Sequence, residues 1–202
     1  MPKKRTAKKR ADKRPVPRLT PLTDEEMTDQ QRAVRDAVVA SRKSKIGGPF
    51  LVFLHAPTFG DLAQRLGAHC RYNTTLPPRL SEFAILVTAR LWRAQYEWFA
   101  HAKIAATVGV SAKTIGDLRA GRAPKGAPKD ERALYDFIME LYKTKRVGKR
   151  NYDRVLALLG KVGTIELVGI LGYYAMVAMT LNAFTMPIPE GEEQPFAEPK
   201  VS

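Results

Sequence analysis

Apolar residues recur three and four positions apart over most of the chain, the spacing that places them on one face of an α-helix. With proline and glycine as punctuation, the pattern predicts helices over about 23–41, 57–72, 78–92, 95–108, 111–120, 134–142, 152–159 and 164–184. Strict alternation of apolar and polar residues, which is typical of a half-buried strand, is scarce. The sequence therefore predicts an all-α helical bundle.

Several predicted helix ends carry local signals. Thr23 and Glu26 have the spacing of a capping box, so the first helix is predicted to begin there. Pro57 and Pro78 suit the first turn of a helix, and Gly109 suits the left-handed residue that often follows one. Residues 121–130 are rich in glycine and proline and predict a loop.

Basic residues are concentrated at the start of the chain. Residues 1–18 contain nine Lys and Arg and a single Asp, so they carry +8 of the net charge of +14. A segment of this composition cannot bury a core and is expected to be a disordered arm. It is followed by a single helical domain over residues 19–186 and, because of Pro187 and Pro189, by a C-terminal tail over 187–202.

The arm has two interpretations. Clustered Lys and Arg could bind nucleic acid or another acidic partner by releasing counterions from phosphates. The alternative is a solvated tail that keeps the protein soluble. No base-reading motif accompanies the arm, so the solvated tail is the favoured interpretation and a nucleic-acid partner is the less favoured one.

Cys70 is the only cysteine, which rules out an intrachain disulfide, a CxxC redox pair and a cysteine-based metal site. Together with a basic N-terminus that has no apolar signal segment, this favours the reducing cytoplasm. Leu167 to Phe184 is a run of eighteen residues without charge, near the lower limit for a membrane span. Its glycines, tyrosines and Asn182 fit a buried helix better, so no membrane partner is expected.

Three ionisable residues lie on predicted helix faces that are otherwise apolar. Glu97 and His101 are one turn apart and share a face with Ile104, and Glu82 shares a face with Leu86 on the preceding helix. Burial would raise the pKa of an unpaired carboxyl group, so an antiparallel helix pair would make His101 the natural partner of Glu82. Spacing alone leaves an ordinary surface pair equally open.

The run LPPRLSEFAILVTARLWRAQYEWFAHAKIAATVGVS resembles the central helical hairpin of the carboxymuconolactone decarboxylase and alkylhydroperoxidase D superfamily. Weaker similarity extends over residues 47–120. The family pattern has a glutamate on the first helix and a histidine on the second, matched here by Glu82 and His101. The peroxidase branch has two cysteines where this chain has Ala94 and Glu97, so the chain resembles the cysteine-free branch.

The resemblance implies an alkylhydroperoxidase D-like bundle with a central antiparallel helical hairpin, assembled as a homo-oligomer, a trimer or a hexamer. It also implies an enzyme, a lyase or hydrolase that needs no cofactor and no metal and acts on a small organic acid or lactone. His101 would transfer a proton, Glu82 would orient it, and Glu97 would be a second acid/base group. A protein that retains the fold without catalysis is the alternative.

Five further residues are candidates for the lining of a substrate pocket. Aromatic and isolated polar residues of helical proteins more often belong to the core or the surface, which is the competing interpretation for all of them. The candidates are Tyr96, His55, Trp98, Tyr174 and Asn182.

Overall fold

A computed structural model describes residues 15–197 of the chain, and α-helices are the regular elements of that range. This confirms the predicted all-α class. The helices are α1 (Asp29–Arg42), α2 (Pro49–Phe53), α3 (Pro57–Tyr72), α4 (Pro78–Leu91), α5 (Gln95–Thr107), α6 (Ala112–Arg119), α7 (Lys129–Thr144) and α8 (Lys149–Ala183).

Helix α4 lies at the centre of the bundle and contacts α5, α6, α7 and α8. Its sequence is apolar nearly all round, and every residue from Leu80 to Ala89 is buried. A helix without a polar face must be covered on all sides, which explains its position. Only three residues separate α4 from α5, and the two helices pack together as the predicted central hairpin.

The first helix begins later than the sequence predicted. The Thr23 backbone N–H does donate to Glu26 Oε2 at 2.8 Å, but these residues form only a turn. The capping box that starts α1 is Thr28 with Gln31, a pair of the same spacing. The buried positions of α1, Val34 and Val38, lie downstream of this second pair, so only the second start is followed by tertiary packing.

The last two predicted helices join into α8 across a sharp kink at Gly160, where φ is 67° and ψ is −177°. This backbone region is essentially restricted to glycine. The Thr164 hydroxyl donates to the Gly160 carbonyl oxygen at 2.7 Å and satisfies an acceptor at the break. The predicted interruption is therefore present, but it occupies one residue rather than four.

Within the described range, α8 is one helix that is long and apolar enough to cross a membrane, by length and composition alone. One side of it packs into the bundle against α3, α4 and α7, as expected of a core helix. The other side is exposed, and only 33% of the most apolar stretch of α8 is buried in the single chain. The exposed apolar side chains of α8 include Val162, Ile165, Val168 and Met179.

A second exposed apolar row lies on α3, which contacts α8. It consists of Phe59, Leu62 and Leu66, spaced so that they share one face of the helix. We refer to these residues together with the four of α8 as the outer apolar rows. Several large apolar side chains exposed on two neighbouring helices are a candidate contact surface.

The described part of the predicted tail, up to residue 197, lies against the start of α5. The Phe196 ring packs edge-to-face on Trp98 at a centroid distance of 5.4 Å. Its backbone N–H donates to Gln95 Oε1 at 3.1 Å, and Arg119 Nε donates to the Pro195 carbonyl oxygen at 2.7 Å. Residues 1–14 of the predicted basic arm lie outside the part of the chain that the structure describes.

Candidate functional site

Glu82 of α4 and His101 of α5 meet inside the hairpin. The His101 Nδ1 and Glu82 Oε2 atoms are 2.7 Å apart, and the two residues are only 6% and 5% exposed. With Glu82 ionised, Nδ1–H donates to the carboxylate, and this hydrogen bond fixes the imidazole tautomer. The other ring nitrogen, Nε2, is then the basic atom available to a ligand.

Tyr174 of α8 holds the other side of the imidazole. Its ring packs edge-to-face on that of His101, with centroids 5.0 Å apart. Tyr173 packs on Tyr174 in the same way at 5.2 Å. The imidazole is therefore oriented by a carboxylate from α4 and an aromatic ring from α8.

Glu97 is the most unusual side chain of the site. It is 2% exposed, and neither carboxyl oxygen has a hydrogen-bond partner among the described residues. Desolvation by burial raises the pKa of Glu97 well above its usual 4.5. Burial therefore favours the protonated form of this carboxyl group, which can donate a hydrogen bond to a neighbouring acceptor.

Glu97, His101, Tyr173 and Tyr174 line a cavity of about 200 Å³. Residues of α5 and α8 form its inner wall, and residues from α1, from the segment after α1 and from the end of α3 form the rest. The inner wall includes Tyr96, Glu97, His101, Tyr173 and Tyr174. A chamber of this size suits a small organic molecule.

Tyr173 reaches the cavity because α3 has a glycine where the two helices touch. A Cβ atom built on Gly67 would lie 2.0 Å from the Tyr173 hydroxyl oxygen. Burial raises the pKa of Tyr173 to about 12, and burial together with the Glu82 carboxylate raises the pKa of Tyr174 well above 10. Both phenols are therefore neutral and can act as hydrogen-bond donors over the ordinary pH range.

The structure brings together the three predicted acid/base residues and two of the five pocket candidates, Tyr96 and Tyr174. It places the other three elsewhere. Trp98 is a core residue packed on Phe196, His55 is exposed with its Nε2 3.1 Å from the Thr20 carbonyl oxygen, and the Asn182 amide donates to the Trp92 carbonyl oxygen at 2.7 Å. Each has a structural contact that accounts for its position.

Sequence reasoning missed the cationic part of the lining and Tyr173. Arg42 ends α1, Lys45 follows it, and Arg71 lies in the last turn of α3. All three fall on exposed or half-exposed positions with no distinguishing local pattern. The one sequence signal for Tyr173 was its position next to the pocket candidate Tyr174.

Among residues 15–197, no group of three or more His, Cys, Asp and Glu side chains is arranged to hold a metal ion. That the protein needs no metal and no cofactor stays a prediction.

A helical bundle with a buried Glu–His pair across its central hairpin defines a class of small-molecule site. A sequence model described as the carboxymuconolactone decarboxylase family matches residues 57–135, from the start of α3 into α7. The match covers the hairpin and confirms the resemblance inferred from residues 76–111. Residues 57–135 therefore resemble this family, and the described residues have the alkylhydroperoxidase D-like fold.

Solved structures show the same architecture over most of the chain. The debrominase Bmp8 in its apo form has a TM-score of 0.66 at 14% identity, and the match covers 84% of this chain and 91% of that one. A cysteine-to-alanine variant of Bmp8 in complex with 2,3,4-tribromopyrrole has a TM-score of 0.67 at 15% identity, with 85% and 91% covered. At such identities the likeness shows the fold alone. No curated protein matches the chain.

Proposed function

We propose that the protein is an acid/base enzyme, a lyase or hydrolase that acts on a small organic acid or lactone without a cofactor. The observation that carries this proposal is the buried Glu82–His101 pair, whose imidazole lines the same cavity as the un-partnered carboxyl group of Glu97. Perturbed ionisable groups that converge on a cavity are the usual composition of a proton-transfer site.

Each residue has a distinct part in the proposed chemistry. His101 exchanges a proton with the substrate through Nε2, while Glu82 holds the tautomer and stabilises the imidazolium that forms. In a decarboxylation, the bond to the departing carbon dioxide breaks, and its electron pair remains on the substrate. A proton from the imidazolium then quenches that carbon. Glu97, as a neutral acid, donates a hydrogen bond to the substrate oxygen on which charge develops.

A thiol-based reaction has less support in this chain. The debrominase neighbour that binds tribromopyrrole is a variant at a cysteine, but Cys70 here lies in the hydrophobic core. Burial, with a smaller contribution from Glu166, raises the pKa of Cys70 to about 11. Since the thiolate is the nucleophile, a thiol in this state is poorly reactive at neutral pH.

The proposed functional unit is a homo-oligomer, a trimer or hexamer, located in the cytoplasm. The outer apolar rows of α3 and α8 support an assembly, since burying them between copies removes apolar area from water at about 25 cal/mol per Å². The isolated, reduced cysteine is consistent with a reducing compartment.

The proposal is tested by a ligand search followed by turnover. We expect the wild-type protein to show ligand-induced thermal shifts in a panel of lactones and unsaturated carboxylic acids. The ligands found are then incubated with enzyme, and carbon dioxide release and ring opening are followed by mass spectrometry. Turnover of no panel member, with equal shifts for the wild type and His101→Asn, would argue against a proton-transfer site.

A further inference from the structure

The cavity has an uncompensated positive charge. Arg42, Lys45 and Arg71 line it, and the carboxyl group in its described lining is that of Glu97, whose neutral form is favoured by burial. None of the three cations forms an ion pair with a carboxylate of the described residues. A site with free cations and no counterion attracts an anionic ligand.

Arg42 is the best positioned of these cations. It is half-buried, its Nη1 donates to Ser41 Oγ at 2.7 Å, and its Nη2 donates to the Gln64 carbonyl oxygen at 3.1 Å. The guanidinium carbon also lies 4.3 Å from the centre of the Phe50 ring. These contacts and a hydrogen bond to Tyr173 hold the guanidinium group in place and occupy only part of its five N–H donors, so N–H groups remain for an acceptor.

Arg42 and Glu97 are linked through Tyr173. Burial raises the pKa of Tyr173, and the charge of Arg42 together with a hydrogen bond to it partly offsets this effect, while Glu97 lines the same cavity. Arg42 comes from α1, which precedes the family-matched segment 57–135, whereas Glu97 comes from the hairpin within it. The cavity thus has a charged side supplied by one part of the chain and a neutral acidic side supplied by another.

We infer that Arg42 is a specificity-determining residue, which binds a carboxylate of the ligand and directs the ligand's uncharged acceptor oxygen toward Glu97. The inference rests on the proposed function in that the ligand occupies the same cavity. An orphaned, fully buried carboxyl group supports it independently, because such a group is costly unless a ligand provides the missing acceptor. A monocarboxylate with a ring carbonyl matches both sides.

Three probes of nearly equal size separate the two contacts. The compound 5-oxotetrahydrofuran-2-carboxylate has a carboxylate and a lactone carbonyl, its methyl ester lacks the charge, and tetrahydrofuran-2-carboxylate lacks the carbonyl. Isothermal titration of the full-length protein gives their affinities. We expect the wild type to bind the acid more tightly than the ester by about 10-fold or more, since hydrogen bonds to charged groups are the strong ones.

Variants then assign the two preferences to residues. We expect Arg42→Met to weaken binding of the acid by about 10- to 100-fold and to leave the ester unchanged. Lys43→Met removes the same charge from an exposed neighbour that does not line the cavity, and is expected to change neither affinity. Glu97→Met should abolish the preference for the lactone over tetrahydrofuran-2-carboxylate, and Glu97→Gln, which still donates, should keep it.

Several outcomes would overturn the inference. They are wild-type affinity for the acid no greater than for the ester, equal losses in Arg42→Met and Lys43→Met, and a parallel loss of ester binding in Arg42→Met with unchanged melting. Comparing turnover and acid selectivity in His101→Asn separates the binding inference from the proposed chemistry, because His101 is the proposed proton-transfer residue. Acid selectivity without any turnover would leave the inference standing and reject the enzyme, and turnover without Arg42-dependent selectivity would do the reverse.

Discussion

The interior of the α4–α5 hairpin contains buried ionisable residues, whereas the outer apolar rows of α3 and α8 are exposed apolar residues. The hairpin buries two carboxyl groups and an imidazole, with Glu97 only 2% exposed. The outer rows do the opposite and leave Ile165, a large apolar side chain, 72% exposed. Each region departs from the common distribution of apolar residues inside and polar residues outside.

The two departures have different physical costs. A buried carboxyl group without a partner loses its hydration and gains nothing in return, so it destabilises the chain unless a ligand completes it. An exposed apolar row costs little in the folded monomer, but it favours association. We therefore propose that the hairpin interior binds a ligand and that the outer rows make the subunit contact, and the following predictions test that division.

The largest effect is expected from the Glu82–His101 pair. His101→Asn and Glu82→Gln should each lower turnover of an identified substrate by about 10²- to 10⁴-fold, the usual contribution of a general acid/base group. Helical circular dichroism and oligomer mass should stay unchanged, because Glu82→Gln preserves side-chain volume and His101→Asn keeps an N–H donor that can reach Glu82. Stopped-flow or steady-state kinetics on the wild type and the two variants measure the difference. Variants that fold normally and convert the substrate at the wild-type rate would remove the site from the hairpin.

The next effect concerns the outer apolar rows. Ile165→Lys should weaken assembly by at least about 10-fold, because a charge placed in an apolar contact must be desolvated. Sedimentation velocity across a concentration series measures the shift toward monomer. Val16→Lys is the matched control, since Val16 is 82% exposed and lies outside the rows. An Ile165→Lys protein whose assembly equals that of the control would show that another surface makes the contact.

A smaller, pH-dependent effect is expected from Glu97. Its pKa is raised in the folded state, so above about pH 4.5 the unfolded chain loses this proton while the folded chain keeps it. Stability is therefore lost as pH rises from there toward the folded pKa, by up to about 1.4 kcal/mol per pH unit. Glu97→Gln lacks this term, so its stability relative to wild type should rise between pH 5 and 7.

Denaturant unfolding at several pH values tests the Glu97 prediction. Glu25→Gln, a change at an exposed carboxyl group, serves as the control and should show no such trend. A Glu97→Gln curve parallel to that of the wild type would mean that Glu97 is ionised in the folded protein. The neutral hydrogen-bond donor required by the proposed mechanism would then be lost.

The smallest effect is expected from Cys70, which belongs to the buried core but not to the polar site. Cys70→Ser should leave turnover and ligand affinity unchanged, and the wild type should show no thiol-dependent peroxidase activity. The buried thiol has a pKa of about 11, so little thiolate exists at neutral pH. Peroxide consumption that depends on added thiol and disappears in Cys70→Ser would contradict this.

Sequence reasoning located the hairpin site because its evidence is local. The wholly apolar surroundings of Glu82 on one helix and the shared face of Glu97 and His101 on the next could be read within twenty residues of the chain. The family-like pattern covers the same run. Secondary-structure signals such as Pro57, Pro78, Gly109 and Ser111 were likewise local, and the structure confirms the ends they predicted.

The rest of the site depends on contacts between distant residues. Arg42 and Tyr173 are 131 positions apart, and nothing in either neighbourhood indicates that the two share a cavity. The start of α1 illustrates the same limit at short range. Thr23 with Glu26 and Thr28 with Gln31 offer equivalent caps, and only the packing of Val34 and Val38 decides which pair begins the helix.

The contact between Gly67 and Tyr173 has a consequence for protein engineering. A glycine inside a helix costs about 0.5–1 kcal/mol relative to alanine, so a thermostabilisation campaign guided by helix propensity alone would include Gly67 among its targets. The added methyl group would meet the Tyr173 hydroxyl at 2.0 Å and displace a ring that lines the cavity. At this residue, selection for heat tolerance and selection for ligand recognition would favour opposite alleles.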